Sequence, residues 1–390
     1  MRRAPTISTD RPAELLGGLS PSQFMRRHWQ KSPLFVRQAL PNVRPPLTRA
    51  ELFALSARGG VESRLVANDG SAWTLRHGPI ARRALPPLRQ PGWTLLVQAV
   101  DLHAAAAHDL LVRFRFIPAA RLDDVMVSYA SDRGGVGPHV DSYDVFLLQV
   151  AGRRRWRIGR TKDTTLREGV PLKILRHFVP EQEWLVDPGD LLYLPPGWAH
   201  DGIAVGGDCM TCSVGFRAPS RGEFSRELLG RLADEEAPES AALYRDARQP
   251  ATTTPGEVPG ALRDFAIDSI RRRLADADTV DRALGEVLTE PRPTIFFDPG
   301  EAIPPGSGVV LDHRSRMMYD SRHVYINGES FRAAGRDARL MHHLANALAL
   351  DAAALAQLSA PARQLLDEWA EAGWVRAAVD GGKASARRQR

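Results

Sequence analysis

The sequence predicts an α+β protein in which a jelly-roll β-barrel is followed by a helical module and then by a small winged-helix-like module. Three observations support this prediction. Short β-rich runs fill residues 124–218, helical periodicity takes over after Pro219, and an Asn327-Gly328 pair lies between apolar residues. Many short strands in one block are typical of jelly rolls, and Asn-Gly between apolar residues marks a hairpin. The length of 390 residues also exceeds the usual size of one core.

These patterns divide the chain into four predicted segments. Residues 1–220 form the barrel with a mixed N-terminal lead-in, residues 221–290 a helical module, residues 291–380 the winged-helix-like module and residues 381–390 a basic tail.

The lead-in combines helices with short apolar runs. Ser20 followed by Pro21 predicts a capped helix that continues through Trp29. Residues 93–98 predict a strand, and residues 104–116 predict a helix that ends before a proline.

The barrel segment contains four apolar or β-rich runs, each bounded by turn residues. These runs cover residues 125–130, 145–150, 154–158 and 191–194. An Ala151-Gly152 turn is expected to separate the second run from the third. Cys209 and Cys212 lie in a further strand-like run, so we interpret them as structural rather than as a metal or redox pair.

The C-terminal half is predicted to be mainly helical. Apolar residues from Phe224 to Leu232 recur at helical steps, and a second helix covers residues 262–288. The winged-helix-like module is predicted to contain a hairpin at residues 323–331 and helices at residues 339–350 and 360–372, the last ended by a glycine.

Composition excludes some classes of function. No apolar run approaches the roughly 18 to 20 residues that span a bilayer, and the N-terminus lacks the apolar stretch of a secretory signal. With only two cysteines, a disulfide framework is excluded and cytoplasmic residence is expected. The net charge of +6 makes association with nucleic acid or a ribonucleoprotein electrostatically easy, but direct nucleic-acid binding remains open.

Two short segments carry candidate metal ligands. His139 and Asp141 are two residues apart, so in a strand they project to one face together with Tyr143 and Val145. His200 follows a rigid Pro-Pro-Gly corner. A His-x-Asp pair alone occurs by chance in many proteins. Two imidazoles and one carboxylate, however, match the facial ligand set of non-haem Fe(II) oxygenases, which we take as the leading hypothesis.

The arginine run at residues 153–157 has two interpretations. As a surface charge run it would be solvated. In a barrel strand, alternate residues enter the lumen, so that one arginine would face the metal and grip a carboxylate.

These motifs, in this order, resemble those of JmjC-type 2-oxoglutarate oxygenases, and specifically the bacterial ribosomal oxygenases that hydroxylate an arginine of the large-subunit ribosomal protein uL16. The resemblance rests on three blocks and the glycine-arginine run between them: Gly135-Val136-Gly137-Pro138-His139-Val140-Asp141, Gly152-Arg153-Arg154-Arg155-Trp156, Tyr193-Leu194-Pro195-Pro196-Gly197-Trp198-Ala199-His200 and Ser213-Val214-Gly215-Phe216. It implies a double-stranded β-helix of the cupin type, a helical dimerisation module, a C-terminal winged helix and hence a homodimer.

The resemblance also implies site residues. His139, Asp141 and His200 would hold Fe(II), and Arg154 would bind the distal carboxylate of the cosubstrate 2-oxoglutarate, with O2 as the second cosubstrate. Ser128 matches a position that hydrogen-bonds 2-oxoglutarate. Thr211 stands near the cosubstrate, where the family often has an asparagine.

The expected substrate is a basic loop of a uL16-like ribosomal protein. A basic enzyme needs local acidic groups to receive an arginine, and the candidates are Asp123, Asp124 and Asp144. Two alternatives remain open. One is a cupin-like regulator that senses a ligand and binds DNA, and the other is the same oxygenase chemistry directed at a histidine residue, a tRNA base or a small molecule.

Overall fold

A ten-stranded antiparallel sheet forms the larger part of the computed structural model, which describes residues 8–234 and 242–378. The predicted basic tail, residues 381–390, lies outside the described residues, as do residues 1–7. The strands of this sheet are β1 (Leu34–Val36), β2 (Ser63–Asn68), β3 (Trp73–His77), β4 (Trp93–Val97), β5 (Leu122–Ala130), β6 (His139–Val140), β7 (Val145–Arg160), β8 (Gln182–Val186), β9 (Leu191–Leu194) and β10 (Trp198–Phe216). Their order is β1-β9-β7-β10-β5-β4-β2-β3, while β6 pairs with β10 and β8 with β7.

One face of this sheet packs against the N-terminal helices. These helices are α1 (Pro21–Arg27), α2 (Arg49–Ser56) and α3 (Ala105–Val112). Phe24 of α1 and Leu52 of α2 join Tyr129, Phe146 and Tyr193 of the strands in a single hydrophobic core. Because side chains alternate along a strand, the neighbours of these core residues project to the opposite face, where they surround a cavity.

The capped helix predicted at Ser20 is confirmed, since the Ser20 and Gln23 side chains form a reciprocal capping box. It ends at Arg27 rather than at Trp29. The helix predicted from residue 104 to 116 is also shorter and ends at Val112. Beyond it, the Phe114 N–H donates a hydrogen bond to the Leu111 carbonyl oxygen and closes a tight turn. This turn directs the Phe114 side chain into the core.

The predicted turn at Ala151-Gly152 is wrong, because residues 145–160 form one continuous strand. Gly152 instead marks an irregularity in the pairing of β7 with β10, where the register shifts between Val205 and Met210. Gly152 has φ +59°, and a Cβ there would lie 2.8 Å from the carbonyl oxygen of Asp208. Such bulges bend a strand without ending it.

Within the described residues, three helices follow the barrel. They are α4 (Arg221–Asp234), α5 (Gly260–Ala275) and α6 (Ala277–Thr289). The single helix predicted over residues 262–288 is therefore wrong. Asp276 interrupts it with extended backbone and accepts a hydrogen bond from the Asp278 N–H, so that it caps α6. The preference of aspartate for helix N-caps explains this break.

The C-terminal module contains two three-stranded sheets and three helices. Its elements are β11 (Val309–Leu311), β12 (Met317–Tyr319), β13 (His323–Ile326), β14 (Glu329–Arg332), α7 (Gly335–Ala347), β15 (Ala349–Leu350), α8 (Ala352–Leu355), α9 (Ala360–Glu371) and β16 (Val375–Ala377). The predicted hairpin is confirmed, with φ of +50° at Asn327 and +87° at Gly328. Both values fit a type I′ turn.

The C-terminal module packs against the barrel. Arg115 donates hydrogen bonds to the carbonyl oxygens of Ala345 and Asn346, and the Arg316 guanidinium donates to the Asp123 carbonyl oxygen over 2.7 Å. In the described ranges, no helix is both long and apolar enough to cross a bilayer.

Candidate functional site

The three predicted metal ligands meet at one point. His139 of β6 and His200 of β10 are direct partners in an antiparallel pair, with ring centroids 4.2 Å apart. The Asp141 Oδ2 atom lies 3.5 Å from His200 Nε2 and 3.9 Å from His139 Nε2. Across residues 8–234 and 242–378, this is the one group of three or more His, Cys, Asp or Glu side chains close enough to share an ion.

The strand that carries the first two ligands is shorter than predicted. Only His139 and Val140 are paired as β6, and Asp141 lies just beyond it. His139, Asp141, Tyr143 and Val145 nevertheless all line the same cavity. The predicted common face is therefore formed, although not by one extended strand.

Both histidines are held in the tautomer that a metal requires. The Nδ1 atom of His139 lies 2.9 Å from the carbonyl oxygen of Gly137, and that of His200 lies 3.1 Å from the carbonyl oxygen of Trp198. A carbonyl can only accept, so each Nδ1 donates and each Nε2 keeps its lone pair for a metal. Burial lowers the pKa of His200 to about 4, so this ring is neutral at ordinary pH.

Glycines and a proline corner position these ligands. Gly137, two residues before His139, has φ +80°, and a Cβ there would lie 2.9 Å from Ile174 Cδ1. Gly197, in the Pro-Pro-Gly corner, has φ +81° and donates its N–H to the carbonyl oxygen of Asp141. The two ligand-bearing segments are thus tied directly to each other.

Arg154 is the arginine of the run that enters the interior. Its side chain lines the cavity and is 4% exposed, whereas Arg153 and Arg155 face solvent. Its Nε donates to Thr211 Oγ1 over 3.0 Å and its Nη1 to the Gly202 carbonyl oxygen over 3.1 Å. Its Nη2 is buried without a hydrogen-bond partner, and no carboxylate within the described ranges pairs with this guanidinium. A buried unpaired cation of this kind requires an anionic ligand.

Thr211 and Ser128 lie beside Arg154 on adjacent strands and face each other in register. The Thr211 hydroxyl accepts from Arg154 and donates to Gln149 Oε1 over 2.9 Å, so its hydrogen bonds orient the guanidinium. Ser128 Oγ lies 3.5 Å from the Thr211 carbonyl oxygen, a contact at the limit of hydrogen bonding, which leaves this hydroxyl available to a ligand.

The cavity has a volume of about 470 Å³ and extends beyond the metal ligands. Its outer part is lined by Met126, Tyr143 and the carboxylates of Asp123 and Asp124. Burial and the neighbouring charges of Asp141 and Asp124 raise the pKa of Tyr143, so its hydroxyl stays protonated as a hydrogen-bond donor. The cavity therefore combines a ligand set for a metal, a cationic anchor and an acidic outer wall.

One of the three candidate acidic residues is not available to a substrate. Asp144 is fully buried and accepts hydrogen bonds from the Tyr193 hydroxyl, the Gln30 amide and the Arg121 guanidinium. Its place in the core, on the side opposite the cavity, makes the prediction for Asp144 wrong. Asp123 and Asp124 both line the cavity.

Sequence patterns did not identify several residues at or near the cavity. Outside the cavity lining, Gln149 accepts a hydrogen bond from Thr211, and this lone polar residue in the apolar run of residues 145–150 was a usable signal. Arg64, His77 and Lys173 line the cavity. They reach it from the hairpin of β2 and β3 and from the loop between β7 and β8, an arrangement that local patterns do not reveal.

Comparison with known families finds two matching segments in the chain. Residues 109–224 match the model of the JmjC domain, and residues 272–376 match the model of the ROXA-like winged helix. The first match contains all three candidate metal ligands together with Arg154.

Similar proteins share most of the chain. Ribosomal protein uL16 3-hydroxylase from Escherichia coli K12 is 32% identical over 84% of this chain and 89% of that protein. The X-ray structure of E. coli ycfD superposes with a TM-score of 0.81 at 29% identity, over 92% of this chain and 98% of that one. The structure of the E. coli ribosomal oxygenase YcfD in complex with cobalt and 2-oxoglutarate superposes with a TM-score of 0.75 at 30% identity, with the same coverage of both chains.

Proposed function

The chain belongs to the JmjC-type ribosomal oxygenases, and we propose that it hydroxylates an arginine side chain of the large-subunit ribosomal protein uL16, with Fe(II), 2-oxoglutarate and O2. One observation carries the oxygenase function: three convergent candidate metal ligands share a cavity with a buried guanidinium that has no carboxylate partner in the part of the chain that the structure describes. The E. coli relative that is 32% identical is a uL16 3-hydroxylase, which supports the choice of substrate. A substrate of this kind also supports a cytoplasmic location.

We propose that His139, Asp141 and His200 hold the iron. Two neutral imidazoles and a carboxylate suit Fe(II), and they occupy one side of an ion, so that the other side is open to ligands. Bound iron supplies the oxidising chemistry, in which 2-oxoglutarate is decarboxylated to succinate while O2 provides the oxygen that enters the C–H bond. The chain's own contribution is to fix the two tautomers through Gly137 and Trp198 and to exclude water from a buried site.

We propose that Arg154 binds the distal carboxylate of 2-oxoglutarate. Its free Nη2 supplies a donor, and the hydrogen bonds from its Nε and Nη1 fix the plane of the guanidinium. Thr211 then acts by orienting Arg154, whereas the Ser128 hydroxyl contacts the cosubstrate itself. Charge-assisted hydrogen bonds of this kind are about twice as strong as neutral ones.

The outer part of the cavity fits an arginine side chain. Asp123 and Asp124 offer carboxylate oxygens to a guanidinium, while Met126 and the Tyr143 ring offer apolar contact to its methylene groups. This arrangement resolves the difficulty that a protein of net charge +6 must receive a cation, because the local wall of the cavity is acidic.

The test of this function is intact-mass analysis of uL16 incubated with the purified protein, Fe(II) and 2-oxoglutarate. We expect a mass gain of one oxygen atom, located by fragmentation to an arginine, together with formation of succinate. Modification of a histidine residue or of tRNA instead would retain the oxygenase chemistry and overturn the proposed substrate. If none of these assays yields succinate or a mass gain, the oxygenase function is contradicted.

We also propose that residues 221–290 mediate a homodimer. Helix α5 has no buried residue, and it exposes the apolar side chains of Leu262, Ile267, Ile270 and Leu274. Four such side chains on one 16-residue helix form an apolar stripe that stays partly exposed within the described chain. A second copy of the same helix is self-complementary to this stripe.

Replacing Ile270 with aspartate is expected to shift the protein from dimer to monomer, because it puts a charge in the centre of the apolar stripe. Multi-angle light scattering over a concentration series measures the change. Ala261→Asp is the matched control, since a residue nine positions away lies on the opposite side of the helix. A monomeric wild-type protein, or a dimer that is equally resistant to both substitutions, would show that α5 is not the interface.

A further inference from the structure

Three carboxylates lie close together where β5 begins. Asp123 and Asp124 line the outer cavity, and Asp101 lies behind them, where it accepts a hydrogen bond from the Val125 N–H. The side chain of Asp124 is 3% exposed, and Asp101 is also buried. Adjacent carboxylates in a poorly solvated site repel one another, so one of them takes up a proton unless cations are near.

Arg292 supplies such a cation from outside the barrel. It lies just after α6, and its Nη2 atom is 3.2 Å from Asp123 Oδ1 and 3.4 Å from Asp124 Oδ2. A single guanidinium nitrogen therefore bridges the two carboxylates that line the outer cavity. No sequence pattern indicated this contact, since Arg292 lies 168 positions beyond Asp124 in a short segment rich in proline.

The hydrogen bonds to Asp124 converge on one of its two oxygens. Asp124 Oδ2 accepts from the Ala99 N–H over 2.8 Å and from the Gln98 amide over 2.9 Å, in addition to its contact with Arg292. Among the residues the structure describes, no donor reaches Asp124 Oδ1 or Asp123 Oδ2. Each carboxylate thus keeps one oxygen unused.

The charged groups around Asp124 come from several segments of the chain, and they include Asp101, whose pKa burial and the charge of Asp124 raise to about 7. Burial and Asp123 raise the pKa of Asp124, while Arg292 and the two donors to Oδ2 lower it. Two further arginines lie close by, since Arg217 approaches Asp123 Oδ1 at 3.8 Å and Arg316 donates to the Asp123 carbonyl oxygen. Arg292 is the one that contacts both carboxylates.

We propose that Arg292 is a positioning residue for substrate recognition: its guanidinium holds Asp123 and Asp124 together, turned so that their unused oxygens receive the guanidinium of the target arginine. This inference rests on the proposed function, because it assumes a cationic substrate side chain. It makes the segment that connects α6 to the C-terminal module part of the substrate site, in addition to its role in joining two modules.

The test compares the KM for a uL16-derived arginine peptide in the wild-type protein, Arg292→Gln and Arg292→Lys between pH 6 and pH 9. We expect Arg292→Gln to raise KM about tenfold near neutral pH, because the substrate loses the equivalent of one charge-assisted contact. Arg292 lowers the pKa of Asp124, so this pKa is higher in Arg292→Gln and less of Asp124 is ionised near neutral pH. The ionised fraction of Asp124 then grows as the pH increases. The KM of Arg292→Gln should therefore fall towards the wild-type value at high pH. Arg292→Lys keeps the charge and should restore most of the affinity.

Two controls separate positioning from folding. Peptide-independent turnover of 2-oxoglutarate is measured in every variant, since a loss of this turnover reports damage at the iron site and not at the peptide site. Arg231→Gln removes the ion pair with Glu290 in the same region without touching the aspartates, so its KM should equal that of the wild type. When Asp123 and Asp124 are both replaced with asparagine, adding Arg292→Gln should raise KM no further, because both groups on which Arg292 acts are then absent.

The outcomes are distinct. A wild-type protein that hydroxylates the peptide, combined with an Arg292→Gln variant of unchanged KM and pH dependence, overturns this inference and leaves the proposed function standing. The inference is also overturned if Arg292→Lys does not restore the affinity for the peptide. The same holds if the peptide-independent turnover of Arg292→Gln falls together with its affinity for the peptide. A wild-type protein that does not modify the arginine peptide overturns the proposed substrate and this inference together.

Discussion

Replacing Asp141 with alanine is expected to lower the affinity for Fe(II) by at least about 100-fold and to abolish hydroxylation, because even residues that only orient metal ligands contribute 10- to 100-fold to affinity. Asp141 is the one anionic member of the candidate ligand set, and its Oδ2 faces the Nε2 atoms of both histidines. Anaerobic calorimetric titration with Fe(II), or with Mn(II) as a stable substitute, measures the loss directly.

Asp163→Ala is the matched control for this substitution. It removes the same type of side chain from the exposed loop after β7, at a distance from the cavity lining. This variant should bind metal like the wild type. Wild-type affinity in Asp141→Ala would show that the ion is held elsewhere, and circular dichroism of both variants excludes loss of the fold as the cause.

The convergence of the candidate metal ligands could be predicted from the sequence because the information is local. His139 and Asp141 are two residues apart, His200 follows a rigid corner, and the arginine run shows the alternation of a barrel strand. Each of these features depends on backbone geometry over a few residues. The same holds for the capping box at Ser20 and the hairpin at Asn327-Gly328, which the structure also contains.

The remaining features depend on contacts between distant segments. The glycine at position 152 is equally compatible with a turn or a bulge, and only its pairing opposite residues 205–210 decides for a bulge. Asp144 and Asp124 are both acidic residues near strands, yet one is enclosed by Tyr193, Gln30 and Arg121 while the other lines the cavity. Neither distinction has a local signal, because the first is set by the pairing of β7 with β10 and the second by which side of the folded sheet faces the core.

Replacing Arg154 with methionine is expected to raise the KM for 2-oxoglutarate by at least about 100-fold. Removing one partner of a buried ion pair costs about 3 to 5 kcal/mol, because the other charge is then left without compensation. In the variant, that charge is the distal carboxylate of the cosubstrate. Arg154→Lys should recover only part of the affinity, since lysine keeps the charge but loses the planar donor group that Thr211 and Gly202 orient. Titration of 2-oxoglutarate in a succinate-release assay gives the KM of each variant.

Thermal unfolding distinguishes this role from a structural one. In the ligand-free protein, the Arg154 guanidinium is buried without a carboxylate partner, so its desolvation opposes folding. An apolar side chain of similar length removes this cost, and the melting temperature of Arg154→Met should change little or rise while activity is lost. Arg155→Gln is the control, because that neighbour is exposed and pairs with Glu183 at the surface. A melting temperature that falls sharply in Arg154→Met, with a KM close to that of the wild type, would assign Arg154 to the stability of the barrel instead of to cosubstrate binding.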